Sequence, residues 1–360
     1  TEDTVIPVSE AAQNNILVFD LSERRFKLIR FGVNLTNYMH IVFGAINRYS
    51  GKGYIQCGYT IDGYPVGSDN LIKETTLQSP WNNRIEEIKT AQGSKFTFAI
   101  QTDTHYCSNA SKRVINSTIE GIRNFKMLSH YIGFDFMANL GDIIQGYAGD
   151  TGEEMRADLT TVMREYTTGI SCPFLVALGN HDPNVQGDGA IPNDELFGRV
   201  LKPSKNTAPN VVYSGTNRYY YADFENVRVI VLDENDSESA TGSFSISDAQ
   251  VDWFANVALN TDKAVMVMCH TPLVSELTTN TVSNRDNILS ALKSFAGTVI
   301  GCFYGHTHSQ SSITKDDILH VTFNYMSTRA EVVLVDLTNR TIDTFMVGSY
   351  GSDTDRHFTF

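Results

Sequence analysis

Clusters of metal-type ligands follow apolar runs at five places in this 360-residue chain. They contain histidine, aspartate and asparagine, and five of the chain's nine histidines lie in them. Imidazole, carboxylate and amide oxygen together suit hard-to-borderline metals such as Mn, Fe or Zn. A chain that uses them together must fold so that five separate runs end at one place. The clusters are Asp103-Thr104-His105, Gly141-Asp142, Gly179-Asn180-His181-Asp182, Cys269-His270 and Gly305-His306-Thr307-His308.

Predicted strands and helices alternate from Lys95 onward. Apolar runs predict strands at Lys95–Thr102 and Phe134–Leu140, and helical spacing predicts a helix at Ser111–His130. This rhythm is typical of a parallel or mixed sheet covered by helices. Further helices are predicted at Glu153–Thr168, Ser247–Leu259 and Arg285–Phe295. A hairpin is predicted at Tyr219–Phe224 and Arg228–Asp233, and further strands at Pro173–Leu178, Ala264–Cys269, Thr298–Phe303, Leu319–Phe323, Glu331–Leu337 and Thr341–Val347.

Two stretches differ from this rhythm. Residues 1–94 hold short apolar pieces separated by turn residues such as Ser50–Gly53 and Asp62-Gly63, which predicts a small β-rich N-terminal domain or arm. The domain boundary is expected near residue 94, with a second domain over 95–360. The stretch Asp182–Thr216 is interrupted by glycine and proline, and a long loop over a functional edge is expected there.

Each cluster begins where a predicted strand stops. Because ligands of open α/β sheets bind at the carboxyl ends of the strands, we expect the clusters to converge along one sheet edge. Gly141, Gly179 and Gly305 each directly precede a candidate ligand. Glycine permits a sharp turn and a close backbone approach, which would aim the next side chain into the site. The clusters together indicate a binuclear metal hydrolase.

Composition excludes several other classes of protein. A net charge of −13 argues against a broad nucleic-acid or anionic-membrane surface. The five cysteines are widely spread with no CxxC, so free thiols are expected rather than a disulfide scaffold. No apolar stretch approaches the length of a membrane span, and no signal peptide is visible. We therefore expect a soluble protein and leave its compartment open.

The ordered set of clusters resembles the motifs of the calcineurin-like metallophosphoesterase family. That family carries DxH, GD, GNHD, a VxxH-type histidine and GHxH, and this chain has all of them in order between about Lys95 and Phe323. A single motif is a weak signal because GD occurs by chance, whereas the full ordered set is a strong one. The resemblance implies a four-layer α/β/β/α sandwich, and residues 1–94 lie outside it.

The resemblance also implies a role for each candidate residue. Two metal ions would share the bridging carboxylate of Asp142. His181 would have no metal and would act as general acid or leaving-group stabiliser, held by Asp182. The first ion would take Asp103, His105, Asp142 and His308, and the second would take Asp142, Asn180, His270 and His306.

Two positions depart from the patterns of known branches of this family. Purple acid phosphatases carry a tyrosine three residues after the GD aspartate, where this chain has Gln145, so a tyrosinate-bound ferric ion is not expected. Many phosphodiesterases have His-His-Pro where this chain has His270-Thr271-Pro272. The ligand histidine is retained, whereas its neighbour is Thr271 in place of the second histidine.

The resemblance implies phosphoester hydrolysis by a hydroxide that bridges two ions of Mn, Fe or Zn, with phosphodiesters favoured over phosphomonoesters. A small phosphoester is the expected partner, while nucleic acid is disfavoured by charge. The alternative is a structural or attachment protein, of phage-tail or cell-surface type, that uses the fold as a module with or without activity. Residues 1–94 would then serve attachment or homo-oligomer formation. Candidate substrate contacts are Asn109, Arg218, Asn324, Tyr325 and Arg329.

Overall fold

The computed structural model describes residues 81–360 except 148, 209, 237–243, 326 and 350–352, together with the backbone of six strands between residues 15 and 72. The chain divides into two compact units, Thr1–Thr76 and Leu77–Phe360. This division falls earlier than the boundary predicted near residue 94. Trp81, Ile85 and Ile88 are buried in the core of the second unit, which explains why the segment before residue 94 belongs to it.

The described part of the first unit consists of strands. Strand β1 pairs antiparallel with β2, while β3, β5 and β6 each pair antiparallel with β4. The β-rich character predicted for this segment is therefore confirmed along its backbone, and the predicted turns at 50–53 and 62–63 lie outside the described residues. The strands are β1 (Asn15–Asp20), β2 (Arg25–Arg30), β3 (Met39–Phe43), β4 (Ile55–Ile61), β5 (Tyr64–Pro65) and β6 (Leu71–Ile72).

Two mixed sheets form the centre of the second unit. Their strands are β7 (Phe96–Gln101), β8 (Phe136–Asn139), β9 (Phe174–Val176), β10 (Val211–Tyr213), β11 (Tyr220–Asp223), β12 (Val227–Val231), β13 (Ala264–Met268), β14 (Val299–Tyr304), β15 (Ser311–Lys315), β16 (Ile318–Thr322), β17 (Arg329–Asp336), β18 (Thr341–Gly348) and β19 (Arg356–Thr359). The first sheet has the order β19-β18-β17-β7-β8-β9, and the second has the order β10-β11-β12-β13-β14-β16-β15. Strands β7 to β9 run parallel, as do β12, β13, β14 and β16.

Helices connect most of the neighbouring parallel strands, and further helices lie before β7 and between β9 and β10. They are α1 (Ile85–Gln92), α2 (Lys112–Leu128), α3 (Gly152–Thr167), α4 (Asn193–Leu196), α5 (Lys202–Thr207), α6 (Asp248–Trp253) and α7 (Arg285–Lys293). A 3₁₀ turn at Trp81–Arg84 precedes α1, and π-helical turns follow α4 and α6 at Phe197–Leu201 and Phe254–Ala258. Helix α3 begins with a capping box, in which Thr151 and Glu154 each accept the other's backbone N–H.

The core fills the space between the sheets and the space beneath the helices. Phe98 stacks on Phe136 within the first sheet at 4.8 Å, and its ring meets Phe303 of the second sheet edge-on at 5.8 Å. Tyr166 of α3 donates to Gln101 of β7, which fixes that helix on the first sheet. Leu292 of α7 belongs to a separate apolar cluster with β12 and β13. These layers confirm the predicted α/β/β/α sandwich.

The prediction of a long loop at Asp182–Thr216 is wrong over much of that stretch. This stretch contains α4, a π-helical turn, α5 and the edge strand β10. Leu196, Val200 and Leu201 are fully buried there, so tertiary packing stabilises short helices that are too weak to form alone. Edge strands β15 and β19 were also not predicted.

Two smaller expectations concern helices and cysteines. Among the described helices, none is both long enough and apolar enough to cross a membrane. The predicted free thiols are confirmed for Cys107, Cys172, Cys269 and Cys302. Cys57 has no described side chain.

A pH-dependent loss of stability follows from His320 on β16. Its ring is buried, with Nδ1 2.8 Å from the Tyr304 hydroxyl, and burial lowers the pKa of His320 to about 4. The unfolded chain therefore takes up this proton first as the pH falls through about 6.5, and stability declines until about pH 4. We expect His320→Asn to reduce that decline by up to about 3 kcal/mol, as measured by urea denaturation at several pH values. An identical decline in both proteins would contradict this reading.

Candidate metal centre

Strand ends from both sheets bring the ligand clusters together. Strands β7, β8 and β9 of the first sheet lead to Asp103, Asp142 and Asn180, whereas β13 and β14 of the second sheet lead to His270 and His306. The expectation of one shared sheet edge is therefore wrong. Each group of strands pairs within its own sheet, and the stacking of the sheets places the two sets of carboxyl ends side by side.

The backbone at the ligands is strained. Asp103, His105, Asp142, His306 and His308 all have positive φ, between 43° and 68°. Residues with a Cβ avoid this region, and each such residue costs of order 1–3 kcal/mol. The surrounding structure must therefore hold these turns in place, as is common at functional sites.

Glycines allow the turns to approach one another closely. Gly141 has φ 101°, which favours glycine, and a Cβ there would lie 2.6 Å from the backbone nitrogen of Gly179. A Cβ on Gly179 would strike the side chain of Asp142, and one on Gly305 would strike Thr102 Oγ1. The close approach predicted for these three glycines is confirmed.

The spacing of the side-chain atoms fits metal coordination. His308 Nε2 lies 3.1 Å from both His105 Nε2 and Asp103 Oδ1. Two ligand atoms that each lie about 2.1 Å from one ion at angles of about 90–110° are separated by about 3.0–3.4 Å. A cation bound by both imidazole nitrogens and by Asp103 fits this spacing.

A second group of ligand atoms shows the same spacing. His270 Nε2 lies 3.0 Å from Asp142 Oδ2, and His306 Nδ1 lies 3.0 Å from Asn180 Oδ1. The contact of His270 Nε2 lacks hydrogen-bond geometry, and Asp103 Oδ1 is likewise buried without a hydrogen-bond partner in the described part of the chain. Buried polar atoms without partners are costly, and a bound cation would satisfy both.

The ionisation states of three candidate ligands suit metal binding. Burial lowers the pKa of His105 and of His306 to about 4, so both rings are neutral at neutral pH and keep a lone pair. Burial disfavours the charge on Asp142, but the neighbouring His270 and other histidines hold the pKa of Asp142 well below its usual range. Metal ligands must be deprotonated, and these three groups are. Burial opposes the charge on His270, but Asp142 and Asp103 hold its pKa well above the usual range, and the hydrogen bond to Asp103 raises the pKa of His308. A metal ion would therefore displace a proton from each of these two rings.

Backbone carbonyls orient two of the rings. His270 Nδ1 donates to the Leu140 carbonyl at 2.8 Å, which directs Nε2 toward Asp142. His181 Nδ1 donates to the Gln145 carbonyl at 2.5 Å, and its Nε2 lies 3.7 Å from Asp142 Oδ2. A carbonyl bond to one ring nitrogen is the usual way of fixing a ligand histidine.

Among the described residues, three overlapping groups of side chains could each hold an ion, with ligand atoms within 4.8 Å of one another. The first two follow the division that the family resemblance implies. The third contains His181, for which no metal was expected. The groups are Asp103, His105 and His308; Asp142, His270 and His306; and His105, Asp142 and His181.

Asp182 does not contact the His181 ring in the way that the resemblance implied. Its carboxylate accepts backbone N–H groups from both neighbouring clusters, at 2.8 Å from Ile143 and 2.8 Å from Gly179. Two further N–H groups, of Asp142 and Ile144, donate to it at 3.1 and 3.3 Å. Asp182 therefore ties the two ligand turns together, whereas the Gln145 carbonyl holds His181.

Glu234 is a buried residue of the centre that the sequence analysis missed. Its carboxylate accepts from the backbone N–H of His270 at 3.2 Å, from that of Thr271 at 3.0 Å and from the Thr271 hydroxyl at 2.9 Å. The Cys269 thiol donates to it at 2.8 Å. Glu234 follows β12 in the same way that the other clusters follow their strands, which is the signal that could have identified it.

The neighbours of Glu234 in the sequence connect this part of the second sheet to a ligand turn of the first sheet. Arg218 forms a buried ion pair with Asp233 at 2.6 Å and donates to the Asn235 carbonyl. Asn235 Nδ2 in turn donates to the Gly179 carbonyl at 3.3 Å. Arg218 is therefore a structural ion-pair residue and not the substrate contact that was predicted.

The other predicted substrate contacts differ from one another. Tyr325 lies at the centre, with its ring 6.3 Å from that of His105 and 5.7 Å from that of His308. Asn324 donates to Asp353, which is also paired with Arg329 at 2.8 Å.

Comparison with known proteins identifies the family of the chain and proteins of similar fold. The profile of the calcineurin-like phosphoesterase family matches residues 96–310. A dimetal phosphatase from Danio rerio has a similar structure, with 17% identity, a TM-score of 0.54 and coverage of 73% of this chain and 98% of that chain. GAP50, the anchor in the inner membrane complex of Plasmodium, aligns with 14% identity, a TM-score of 0.44 and coverage of 74% and 88%. No curated protein matches the chain.

The contacts of Glu234 predict a loss of metal affinity on substitution. Glu234→Gln places an amide N–H₂ against donors, which disturbs the turn that carries His270. We expect metal affinity to fall about 10- to 100-fold, the usual effect of removing a group that orients a ligand. Metal content after dialysis against a chelator series measures it. Glu276→Gln, which changes a surface glutamate paired with Lys315, is the matched control, and equal metal retention in the two variants would contradict the assigned role.

Proposed function

Because the chain belongs to the calcineurin-like phosphoesterase family, we propose that its metal-dependent phosphoesterase centre holds two ions and prefers phosphodiesters. The observation that carries this proposal is the coordination spacing of two separate ligand groups around Asp142. His308 and Asp103 lie 3.1 Å apart in one group, and His270 and Asp142 lie 3.0 Å apart in the other. A single ion would leave one of these groups unexplained.

The donor set of imidazole, carboxylate and amide groups suits Mn, Fe or Zn. Two such ions would offset the negative charge of a phosphoester and lower the pKa of a bridging water, which supplies the nucleophile. Asp103, His105 and His308 would hold one ion, and Asn180, His270 and His306 the other. Asp142 would be shared, since its carboxylate lies within 3.8 Å of histidines from both groups.

The charge around the centre supports a diester over a monoester. The ion pairs of Asp103 and Asp142 in the described part of the chain are all with histidine rings. A phosphomonoester dianion carries one more negative charge than a diester. No described lysine or arginine pairs with either carboxylate, so the two ions would supply the positive charge that faces the substrate, and such a centre suits the monoanionic diester better.

His181 is proposed as the proton donor to the leaving alkoxide. Its Nδ1 hydrogen is committed to the Gln145 carbonyl, so its Nε2 can donate only when the ring is doubly protonated. Asp142 Oδ2 lies 3.7 Å from that Nε2. Asp182 acts at a distance, by holding the turn that carries His181 to the turn that carries Asp142.

Removal of the shared carboxylate should abolish activity. We expect Asp142→Asn to lower the hydrolysis of bis(p-nitrophenyl) phosphate with Mn²⁺ by at least about 100-fold, because both ions lose a charged ligand. Asp316→Asn, at an exposed aspartate paired with Lys293, should retain wild-type activity. If the wild-type protein hydrolyses no phosphodiester or phosphomonoester with Mn²⁺, Fe²⁺ or Zn²⁺, the proposed function is wrong.

Substitution of His181 should lower the rate of hydrolysis without changing the metal content. We expect His181→Ala to keep both metal ions and to lose about 10²–10⁴-fold in rate on alkyl esters, with a smaller loss on p-nitrophenyl esters, whose leaving group needs no proton. Metal analysis and rates on both ester types measure this. Loss of one metal ion from His181→Ala would instead make it a ligand, in line with its grouping with His105 and Asp142.

A further inference from the structure

Tyr147 is an exposed aromatic residue at the edge of the metal centre. Of the described residues, it is the only aromatic one that is strongly exposed, at 47%. A tyrosine ring offers a large apolar face for contact with a ligand. Its ring centroid lies 4.5 Å from that of His181, with the planes at 74°.

The backbone holds Tyr147 in this position. Its N–H donates to the Asp150 carboxylate at 2.9 Å, and the Asp150 N–H returns a bond to its carbonyl at 2.9 Å. Gly146, with φ 52°, lies so close to His181 that a Cβ there would strike the His181 carbonyl. The segment that orients His181 through the Gln145 carbonyl therefore also fixes Tyr147 beside it. Because the backbone at Tyr147 is already fixed, only the side chain would have to be ordered when a ligand stacks on the ring.

Other aromatic rings contact the histidines of the centre on its remaining sides. Phe244 meets His306 edge-on at 5.2 Å, and Tyr325 lies 5.7 Å from His308. Phe244 and Tyr325 are each partly buried, whereas Tyr147 leaves nearly half of its surface accessible. An organic group attached to the phosphate would therefore meet aromatic surface, and the accessible part of that surface lies next to His181.

We propose that Tyr147 is a specificity-determining residue that stacks on an aromatic ring carried by the leaving alcohol of the ester. This inference rests on the proposed function, in which His181 protonates that alcohol. The recognised chemistry is a planar conjugated ring, whether a simple aryl group or a nucleobase.

The test compares esters that differ only in aromaticity. Methyl 2-phenylethyl phosphate and methyl 2-cyclohexylethyl phosphate have leaving alcohols of similar acidity and length. With the Mn²⁺-loaded protein, we expect kcat/KM to favour the phenyl ester by about 3- to 10-fold, the range of one aromatic contact. A second pair, the methyl phosphate esters of thymidine and 5,6-dihydrothymidine at their 5′ positions, asks whether a nucleobase serves as the ring.

Three variants test whether Tyr147 causes the preference for the phenyl ester. Tyr147→Phe should keep the ratio, Tyr147→Leu should bring it close to 1, and Val212→Ala, at an equally exposed apolar residue on edge strand β10, should leave it unchanged. Melting temperature and metal content should be the same in all of them. A wild-type ratio near 1 in both ester pairs, or an unchanged ratio in Tyr147→Leu, overturns the inference.

A binding measurement separates this inference from the proposed function. Calorimetric affinities of methyl(3-phenylpropyl)phosphinate and methyl(3-cyclohexylpropyl)phosphinate, in which carbon replaces the ester oxygen, report stacking without turnover. Absence of hydrolysis would overturn the proposed function, while a phenyl preference in affinity that disappears in Tyr147→Leu would still support the stacking site. Equal affinities in the wild-type protein would overturn the stacking site whatever the activity.

Discussion

The buried carboxylate of Asp142 is the point on which the metal centre depends. It faces His270 of the second sheet at 3.0 Å and His105 and His181 of the first at 3.8 and 3.7 Å. Its other oxygen accepts the His181 backbone N–H at 2.9 Å. A charge in such a place is stable only with several partners, and this requirement explains why turns from two sheets come so close together.

Other buried acids hold the turns around the Asp142 carboxylate in place. Asp182 joins the turns of the first sheet through backbone N–H groups, and Glu234 does the same for the turn that carries His270. Asn235 links the two sets by donating to Gly179. Strained ligand conformations with positive φ can persist because these bonds over-determine the backbone around them.

Much of this could be predicted from the sequence, because strands buried on both faces read as continuous apolar runs. The strand predicted at Lys95–Thr102 is observed at Phe96–Gln101, and the ligand residues follow such strands directly. The residues that were missed have roles defined by distant contacts. Glu234 lies 36 residues from His270 along the chain, and Tyr147 gains its position from His181. The helices within Asp182–Thr216 were missed because packing, rather than local propensity, stabilises them.

The metal centre is proposed to hold two ions that share the Asp142 carboxylate. Anomalous diffraction from crystals soaked in Mn²⁺ tests it most directly. We expect two peaks about 3.5–4 Å apart, both within bonding distance of the Asp142 carboxylate, one beside His308 and the other beside His306. A single peak at saturating Mn²⁺, or a second ion that does not touch Asp142, would contradict it.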